Sequence, residues 1–487
     1  MLHHIKNLTK HSAIYSISTF IQRTQGLIML PIYTDTSYLA TKSVYGDYIL
    51  VYTFIAFMNI FYLYGLDSSF LRYYFLGQYT RKDIYRSAIQ IVLISSLLTS
   101  AIIFLFASSI ARIIFNSSGY DFFIKIAAGI LLFDTLCNLP YLILRAEEKS
   151  FIYTLIRIGR FILELALNII FVVYLKYGVK GILFANLLAA AINLLFMIPF
   201  QWSYIKGKFS FIAIKDLLTF GLPLIPNSLA YLLVEISDKY LMSRLLDKDT
   251  LGEYGVNYRL GTLMLLIVSA FRTAWQPFFL KIAKDPDAKK IYARILTYFI
   301  CGATFVVISG SFFVEYIVQI PVAPGKTLLG KAYWGGVKII PIILLSYLCY
   351  GVYVNLTVGI YIKKKSQWMF LFTGLAALFN ISSNFYLMPH YGMMGAAFAT
   401  LLAYLIMMLS IFIANQKFYP IKYEYKRIFW IGLYLICSLV IFYAWNLHLV
   451  VRIIILLTFP VMIFALNLLN DQEKSYLKRL ITRYLSG

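Results

Sequence analysis

The stretch KYGVKGILFANLLA (Lys176 to Ala189) returns as HYGMMGAAFATLLA (His390 to Ala403), 214 residues further on. The two share Tyr-Gly-x-x-Gly-x-x-Phe-Ala-x-Leu-Leu-Ala. A second pair, YGDY (Tyr45 to Tyr48) and LGEY (Leu251 to Tyr254), lies 206 residues apart. Two matches in the same order at nearly equal offsets mark a duplicated chain. What is duplicated follows from composition. Of the 487 residues, 61% are hydrophobic and 13% charged, against an apolar share of about 45–50% in soluble domains. The apolar runs are about 20 residues long, the length of a membrane-crossing helix, and the short alternating strands of a barrel are missing from the pattern.

The chain reads as an all-α polytopic membrane protein. Spans are expected near 12–33, 46–66, 87–108, 122–144, 152–175, 181–204, 217–243, 254–279, 291–314, 338–362, 367–388, 392–415, 428–446 and 449–469. Each repeated Tyr-Gly motif opens the sixth helix of its group. About fourteen helices therefore divide into a six-helix lobe over 1–210, a second over 211–418, and a terminal pair with a tail over 419–487. Six is even, so both lobes enter from the same side as parallel repeats about an axis along the membrane normal. Transporters built this way bind substrate between the halves.

Basic residues set the orientation, because positively charged loops stay in the cytoplasm. The connections on the N-terminal side hold 27 Lys and Arg and those opposite hold 11, so both termini are expected in the cytoplasm. The N-terminal segment MLHHIKNLTKHS has no short apolar leader pattern and no small-residue cleavage site, so the first span is expected to stay as structure. Cys137, Cys301, Cys349 and Cys437 lie in apolar spans without metal or disulfide spacing, and neither a metal nor a cofactor is expected. Much of the net charge of +23 is loop charge suited to anionic lipid headgroups.

Six basic residues fall inside the spans: Arg23, Arg157, Arg160, Lys239, Arg259 and Arg272. Four acidic ones join them: Asp134, Glu164, Glu235 and Asp238. A charge at mid-membrane costs about 2.5–3.5 kcal/mol on insertion scales, so each is expected to face protein or water. Ser12, Ser16, Thr19, Arg23 and Gly26 share one helical face. So do Arg157, Arg160 and Glu164, then Glu235, Asp238 and Lys239, and then Arg259, Thr262, Ser269 and Thr273. Each group has a plainer reading as well. Arg160 and Glu164, at i and i+4, can form an internal ion pair that only fixes packing. Asp238, Lys239 and Arg272 lie toward helix ends, where long side chains snorkel. Asp134 is either a neutral carboxyl bonded to backbone or an ion-coupling site. Arg23 and Arg259 have no acidic residue within a turn in their own spans and are the sharpest candidates for binding an anion.

An enzyme is the weaker class. The segment APGKTLLGK holds Gly325-Lys326-Thr327, but Ile320 stands where a phosphate-binding loop needs its first glycine. The longest connection, about 315–338, is too short for a catalytic domain.

Five segments then carry a resemblance: YGLDSSFLRYYF (Tyr64 to Phe75), FGLPLIPNSLAYLLVEISDKYLM (Phe220 to Met242), LGEYGVNYRLG (Leu251 to Gly261), LLGKAYWGGVKIIPIILLSYLCYGVY (Leu328 to Tyr353) and HYGMMGAAFATLLAY. In this order they resemble the polysaccharide (O-antigen-type) flippases of the multidrug/oligosaccharidyl-lipid/polysaccharide exporter superfamily. The resemblance spans nearly the whole chain and rests on order rather than on one signature. It implies two six-helix lobes around a cationic cavity, and movement of polyprenyl-diphosphate-linked oligosaccharide from the inner to the outer leaflet of the cytoplasmic membrane. It also implies membrane lipids and a polysaccharide polymerase as partners, and no nucleic acid. Arg23 and Arg259 are then expected to meet the diphosphate, with Arg157, Arg160, Lys239 and Arg272 around them, because guanidinium forks match phosphate oxygens. Asp134, Glu164, Glu235 and Asp238 are candidates for ion coupling. A cation-coupled drug exporter and a peptidoglycan-precursor flippase of the same superfamily stand as alternatives. Six basic against four acidic residues in the spans favours an anionic substrate.

Overall fold

The computed structural model describes residues 25–363, 365, 367–445 and 447–465. Helices follow one another through the chain: α1 (Leu30–Tyr33), α2 (Lys42–Leu63), α3 (Leu66–Leu76), α4 (Arg81–Leu105), α5 (Ala107–Phe115), α6 (Asp121–Ala146), α7 (Ser150–Asn168), α8 (Gly178–Ile205), α9 (Phe211–Gly221), α10 (Ile225–Leu245), α11 (Lys248–Gly261), α12 (Leu263–Lys281), α13 (Ala288–Val318), α14 (Ile340–Leu356), α15 (Val358–Ile362), α16 (Gln367–Phe418), α17 (Tyr425–Ala444) and α18 (Leu449–Ala465). A small hairpin, β1 (Pro321–Ala323) with β2 (Lys326–Thr327), turns at Gly325 with φ +72°. Among the described residues, ten helical stretches are long and apolar enough to cross a membrane.

Local chemistry sets many of the boundaries. The side chains of Thr41, Thr80 and Ser210 accept hydrogen bonds from the amides of Val44, Asp83 and Ala213, which satisfies otherwise orphaned donors at the starts of α2, α4 and α9. Thr41 thus starts α2 four residues before the expected span. The expected span 217–243 is broken by a 3₁₀ turn at Leu222–Leu224, where Pro223 and Pro226 lack amide donors. The 19-residue α7 continues as a π-helical stretch at Ile169–Tyr174. It carries Arg157, Arg160 and Glu164 along its 19 residues and falls outside the ten stretches.

The repeated motif has a structural cause. Gly178 and Gly392 both adopt φ +55°, a left-handed conformation that L side chains rarely take. Three residues later, a Cβ on Gly181 would press on the Phe171 carbonyl at 3.0 Å, and one on Gly395 would overlap the backbone of Leu387. Each motif is a tight reversal into a helix that packs on the chain just before it. Within the 52 residues of α16 the left-handed Gly392 breaks the helix in two.

The chain divides into two compact units. One comprises Met1–Leu260, Val318–Ile339 and Ser366–Met407; the other comprises Gly261–Ile317, Ile340–Lys365 and Met408–Gly487. In the first, α6 packs against α4 and α8. Phe70, Ile84, Tyr85, Leu139 and Leu217 form one of its cores, and the Tyr85 hydroxyl donates to Gln201 Oε1 at 2.7 Å. In the second, α12 packs on α14, with Gly351 under the Phe299 ring. Arg452 is buried there, donating to the carbonyls of Phe312 and Leu447 and pairing with Glu315 at 2.7 Å. Along α4, Leu98 and Leu105 are 60% and 78% exposed, with Leu97 and Ile102 beside them. Water would penalise such a face, whereas hydrocarbon does not.

Candidate functional site

The face of α7 chosen for its charges is the spine of a polar array. Arg157, Arg160, Glu164 and Asn168 sit at i, i+3, i+7 and i+11, so one side of the helix carries them all. Arg160 Nη2 pairs with Asp134 Oδ1 of α6 at 2.7 Å. The Arg157 guanidinium lies over the Tyr141 and Tyr153 rings, 4.3 and 5.3 Å from their centroids. Glu164 is hydrogen-bonded by Gln25. The amide of Asn168 donates to the Glu164 carbonyl, and its Oδ1 accepts from the Tyr33 hydroxyl, each at 2.8 Å.

Tyr33 carries this line of polar contacts to the next cation. Its ring lies 5.6 Å from that of Tyr48, which stands between Tyr45 and Tyr52 at 5.2 and 4.6 Å. Arg259, near the end of α11, donates Nη2 to the Tyr48 hydroxyl at 3.0 Å and Nη1 to the Gly26 carbonyl at 3.3 Å. A Cβ on Gly26 would sit 3.0 Å from that guanidinium, so the arginine rests directly on the backbone. Gly26 follows Arg23 by three residues in the same polar stripe. Arg23 itself lies outside the described residues.

A second cluster gathers on α10. Lys239 Nζ lies 3.1 Å from Asp238 Oδ1, donates to the Glu235 carbonyl, and sits 3.8 Å above the centre of the Tyr258 ring. The Tyr254 hydroxyl donates to Asp238 Oδ2 at 2.6 Å, and the Tyr404 hydroxyl donates to Glu235. Beside them Ser237 Oγ donates to Asn380 Oδ1 at 2.6 Å, which also accepts from Asn384 Nδ2 at 3.0 Å. Both asparagines are fully buried, an expensive placement that polar partners offset.

The structure thus brings Arg157, Arg160, Asp134 and Glu164 together and gathers Glu235, Asp238 and Lys239 elsewhere. Arg272, an exposed residue of the second unit, donates to the Tyr350 hydroxyl at 3.0 Å. Asp134 has its cationic partner on another helix, which a search within one turn of its own sequence could not find. Sequence reading also passed over Tyr33, Tyr48, Asn168, Asn380 and Asn384. Asn168 had a signal, since it prolongs the α7 stripe by one step, and Asn380 and Asn384 are spaced i and i+4 in an otherwise apolar run. Among the described residues, no three His, Cys, Asp or Glu side chains converge as a metal site.

A family model described as polysaccharide biosynthesis protein matches residues 37–323. The fold is similar to that of the lipid II flippase MurJ in an inward closed conformation, with a TM-score of 0.72 at 18% identity over 92% of this chain and 98% of that one. It is also similar to an inward-facing multidrug resistance MATE transporter of the MOP superfamily, with a TM-score of 0.62 at 15% identity, covering 84% and 96%. A variant of the Vibrio cholerae MATE transporter VcmN gives 0.57 at 14%, covering 84% and 98%. No curated protein matches the chain.

Proposed function

We propose, from the premise that the chain belongs to the polysaccharide biosynthesis protein family, that it is a flippase carrying polyprenyl-diphosphate-linked oligosaccharide across the cytoplasmic membrane by alternating access. The premise, joined to the flippase and transporter fold, bears out the resemblance read in the sequence. The substrate is the further step, and one observation carries it. Arg259, near the end of α11, directs two of its donors to neutral groups, the Gly26 carbonyl and the Tyr48 hydroxyl. These contacts fix where the guanidinium points, and a diphosphate headgroup is the anion whose oxygens a guanidinium fork matches. The same cationic role is proposed for Arg23, Arg157, Arg160 and Lys239, and, within the second unit, for Arg272. A peptidoglycan precursor presents the same lipid diphosphate, so the test is export of surface polysaccharide set beside peptidoglycan synthesis in cells that lack this protein. Loss of polysaccharide with normal peptidoglycan supports the reading; the reverse assigns the precursor instead. Unchanged levels of both, with altered drug tolerance, return the chain to the drug exporters.

The full arrangement proposed has fourteen spans, lobes over 1–210 and 211–418, a terminal pair over 419–487, and both termini in the cytoplasm. Cysteines placed at Lys364 and Lys478 are then labelled from the cytoplasm and one at Lys331 is not; the opposite pattern would overturn the orientation. Assembly partners follow from the same reading, a polysaccharide polymerase among them.

Coupling to an ion is assigned to the acids. Asp134 is held against Arg160, and Glu164, Glu235 and Asp238 each accept or pair with a polar neighbour. A proton or cation arriving at Asp134 would loosen its hold on Arg160 and so change the charge offered to the cargo. Asp134→Asn is expected to reduce transport driven by an imposed gradient. Transport unaltered under both proton and sodium gradients would remove Asp134 from this role.

A further inference from the structure

The connection from α8 to α9 runs along the start of α4. The Lys208 amide donates to Asp83 Oδ1 at 2.6 Å and the Ser210 amide to Ser87 Oγ at 3.0 Å, while a Cβ on Gly207 would overlap the Lys82 carbonyl. Two basic segments far apart in sequence are thereby laid side by side. Lys206 and Lys208 stand on one side of the seam, and Lys82 and Arg86, one helical turn apart, on the other. Lys82, Lys206 and Lys208 are exposed, and Asp83, the acid on this seam, is already engaged by the Lys208 amide.

The same connection carries an apolar edge. Helix α9 turns Ala213 and Leu217 into the core beside Ile84 and Tyr85. It is held there by the Ser69 hydroxyl, which donates to the Leu217 carbonyl at 2.7 Å, and by the Tyr79 hydroxyl, which donates to Asp216 at 2.7 Å. Its first turn also presents an outer side. Phe211 and Ile212 are 78% and 70% exposed, and the Phe209 ring stands edge-on to that of Phe211 at 4.7 Å between centroids. Trp202, in the last turn of α8, is 62% exposed. Both α4 and α8 are of membrane-crossing length, so this edge lies where an apolar span meets the headgroups.

We propose that this seam is a binding site for an acidic phospholipid. Lys82, Arg86, Lys206 and Lys208 take the headgroup phosphate, and Phe209, Phe211 and Ile212 enter the acyl boundary beside it. Charge sets the choice of occupant: four cations beside one engaged acid attract an anion. The aromatic edge then favours an anion that carries hydrocarbon, which separates a lipid from free phosphate. A lipid seated here holds α9 from its outer side as the core holds it from the inner one, at the proposed boundary between the two lobes. The inner leaflet as the lipid's source rests on the orientation proposed above; the binding itself does not.

The test uses the full-length chain in nanodiscs of phosphatidylcholine, with and without phosphatidylglycerol, and reads hydrogen exchange of the amides over 206–221. Phosphatidylglycerol should slow exchange at the start of α9 by about tenfold relative to phosphatidylcholine alone, and raised salt should reverse much of that. Lys82→Gln, Arg86→Gln, Lys206→Gln and Lys208→Gln combined should remove the protection. A matched control, Lys284→Gln, Lys417→Gln, Lys422→Gln and Lys426→Gln, takes the same charge from exposed positions elsewhere and should keep it. Phe211→Ser with Ile212→Ser should weaken the protection while leaving the four cations in place. If the fourfold variant fails to accumulate, Lys206→Gln with Lys208→Gln is read instead and should lose protection in the same direction. Three results would each overturn the site: equal protection in the two lipid mixtures, equal loss in the seam variant and the control, or protection reproduced by inorganic phosphate added to phosphatidylcholine discs. The measurement needs neither cargo nor sidedness, since a disc leaves both faces open. Binding that behaves as expected in a protein whose loss leaves surface polysaccharide intact would stand, while the substrate reading fell.

Discussion

Arg259→Ala should abolish most surface polysaccharide export while the protein reaches its normal level in the membrane. On the proposed topology the charge removed is an intramembrane one, whose loss lowers the cost of insertion, so the variant should still assemble. What is lost is a forked donor held by the Gly26 carbonyl and the Tyr48 hydroxyl. Arg259→Lys keeps the charge but not the fork, and should retain part of the export, since bidentate geometry and charge contribute separately to phosphate binding. An effect of tenfold or more is expected for alanine, the equivalent of roughly 1.4 kcal/mol of lost cargo binding. Arg23→Ala should behave alike. Normal export by both alanine variants at normal levels would make these arginines structural and the cationic mechanism wrong for them.

Gly395→Leu is expected to prevent stable folding. The new Cβ would overlap the Leu387 carbonyl, a backbone atom that has no rotamer by which to move aside. Overpacking of this kind typically costs about 1–3 kcal/mol, and more where backbone is involved. Gly392→Val adds a distinct penalty, because a β-branched residue at φ +55° is strained by about 1–2 kcal/mol whatever the space around it. The check is thermal unfolding of detergent-purified protein, with Gly374→Leu as the control, since a Cβ there would meet no atom within 4 Å. Equal stability of Gly395→Leu and the control would show that the repeated motif does not need its close approach.

Membrane class and helical character were legible because they depend on composition and on local period. The Tyr-Gly-x-x-Gly motif could be read as a repeat, and its meaning, a left-handed glycine followed by a helix pressed on the preceding backbone, emerged only in three dimensions. The α7 stripe was legible for the same periodic reason, down to Arg157, Arg160 and Glu164. Its partners were not. Asp134 meets Arg160 across two helices, and Tyr48 meets Arg259 across 211 residues of chain; sequence spacing carries no information about either. The start of α2 was misjudged because the Thr41 cap extends the helix beyond its apolar run. The breaks at Leu222–Leu224 and near Thr262 escaped notice because an apolar run hides a change in helix direction.

Two ion pairs join the starts of α2 and α11 reciprocally, Lys42 Nζ to Glu253 Oε2 at 2.6 Å and Lys248 Nζ to Asp47 Oδ1 at 2.7 Å, and they say something about descent. A two-fold symmetric dimer makes every contact twice, residue i of one copy meeting residue j of the other and the reverse. Lys42 with Glu253, and Lys248 with Asp47, have this form once the offset of 206 is removed. A single ancestral half could have joined a second copy of itself through this surface. Fusion would then have turned a bond between subunits into one within a chain. It would also have freed the two halves to diverge, which is how Asp47 could come to stand opposite a glutamate.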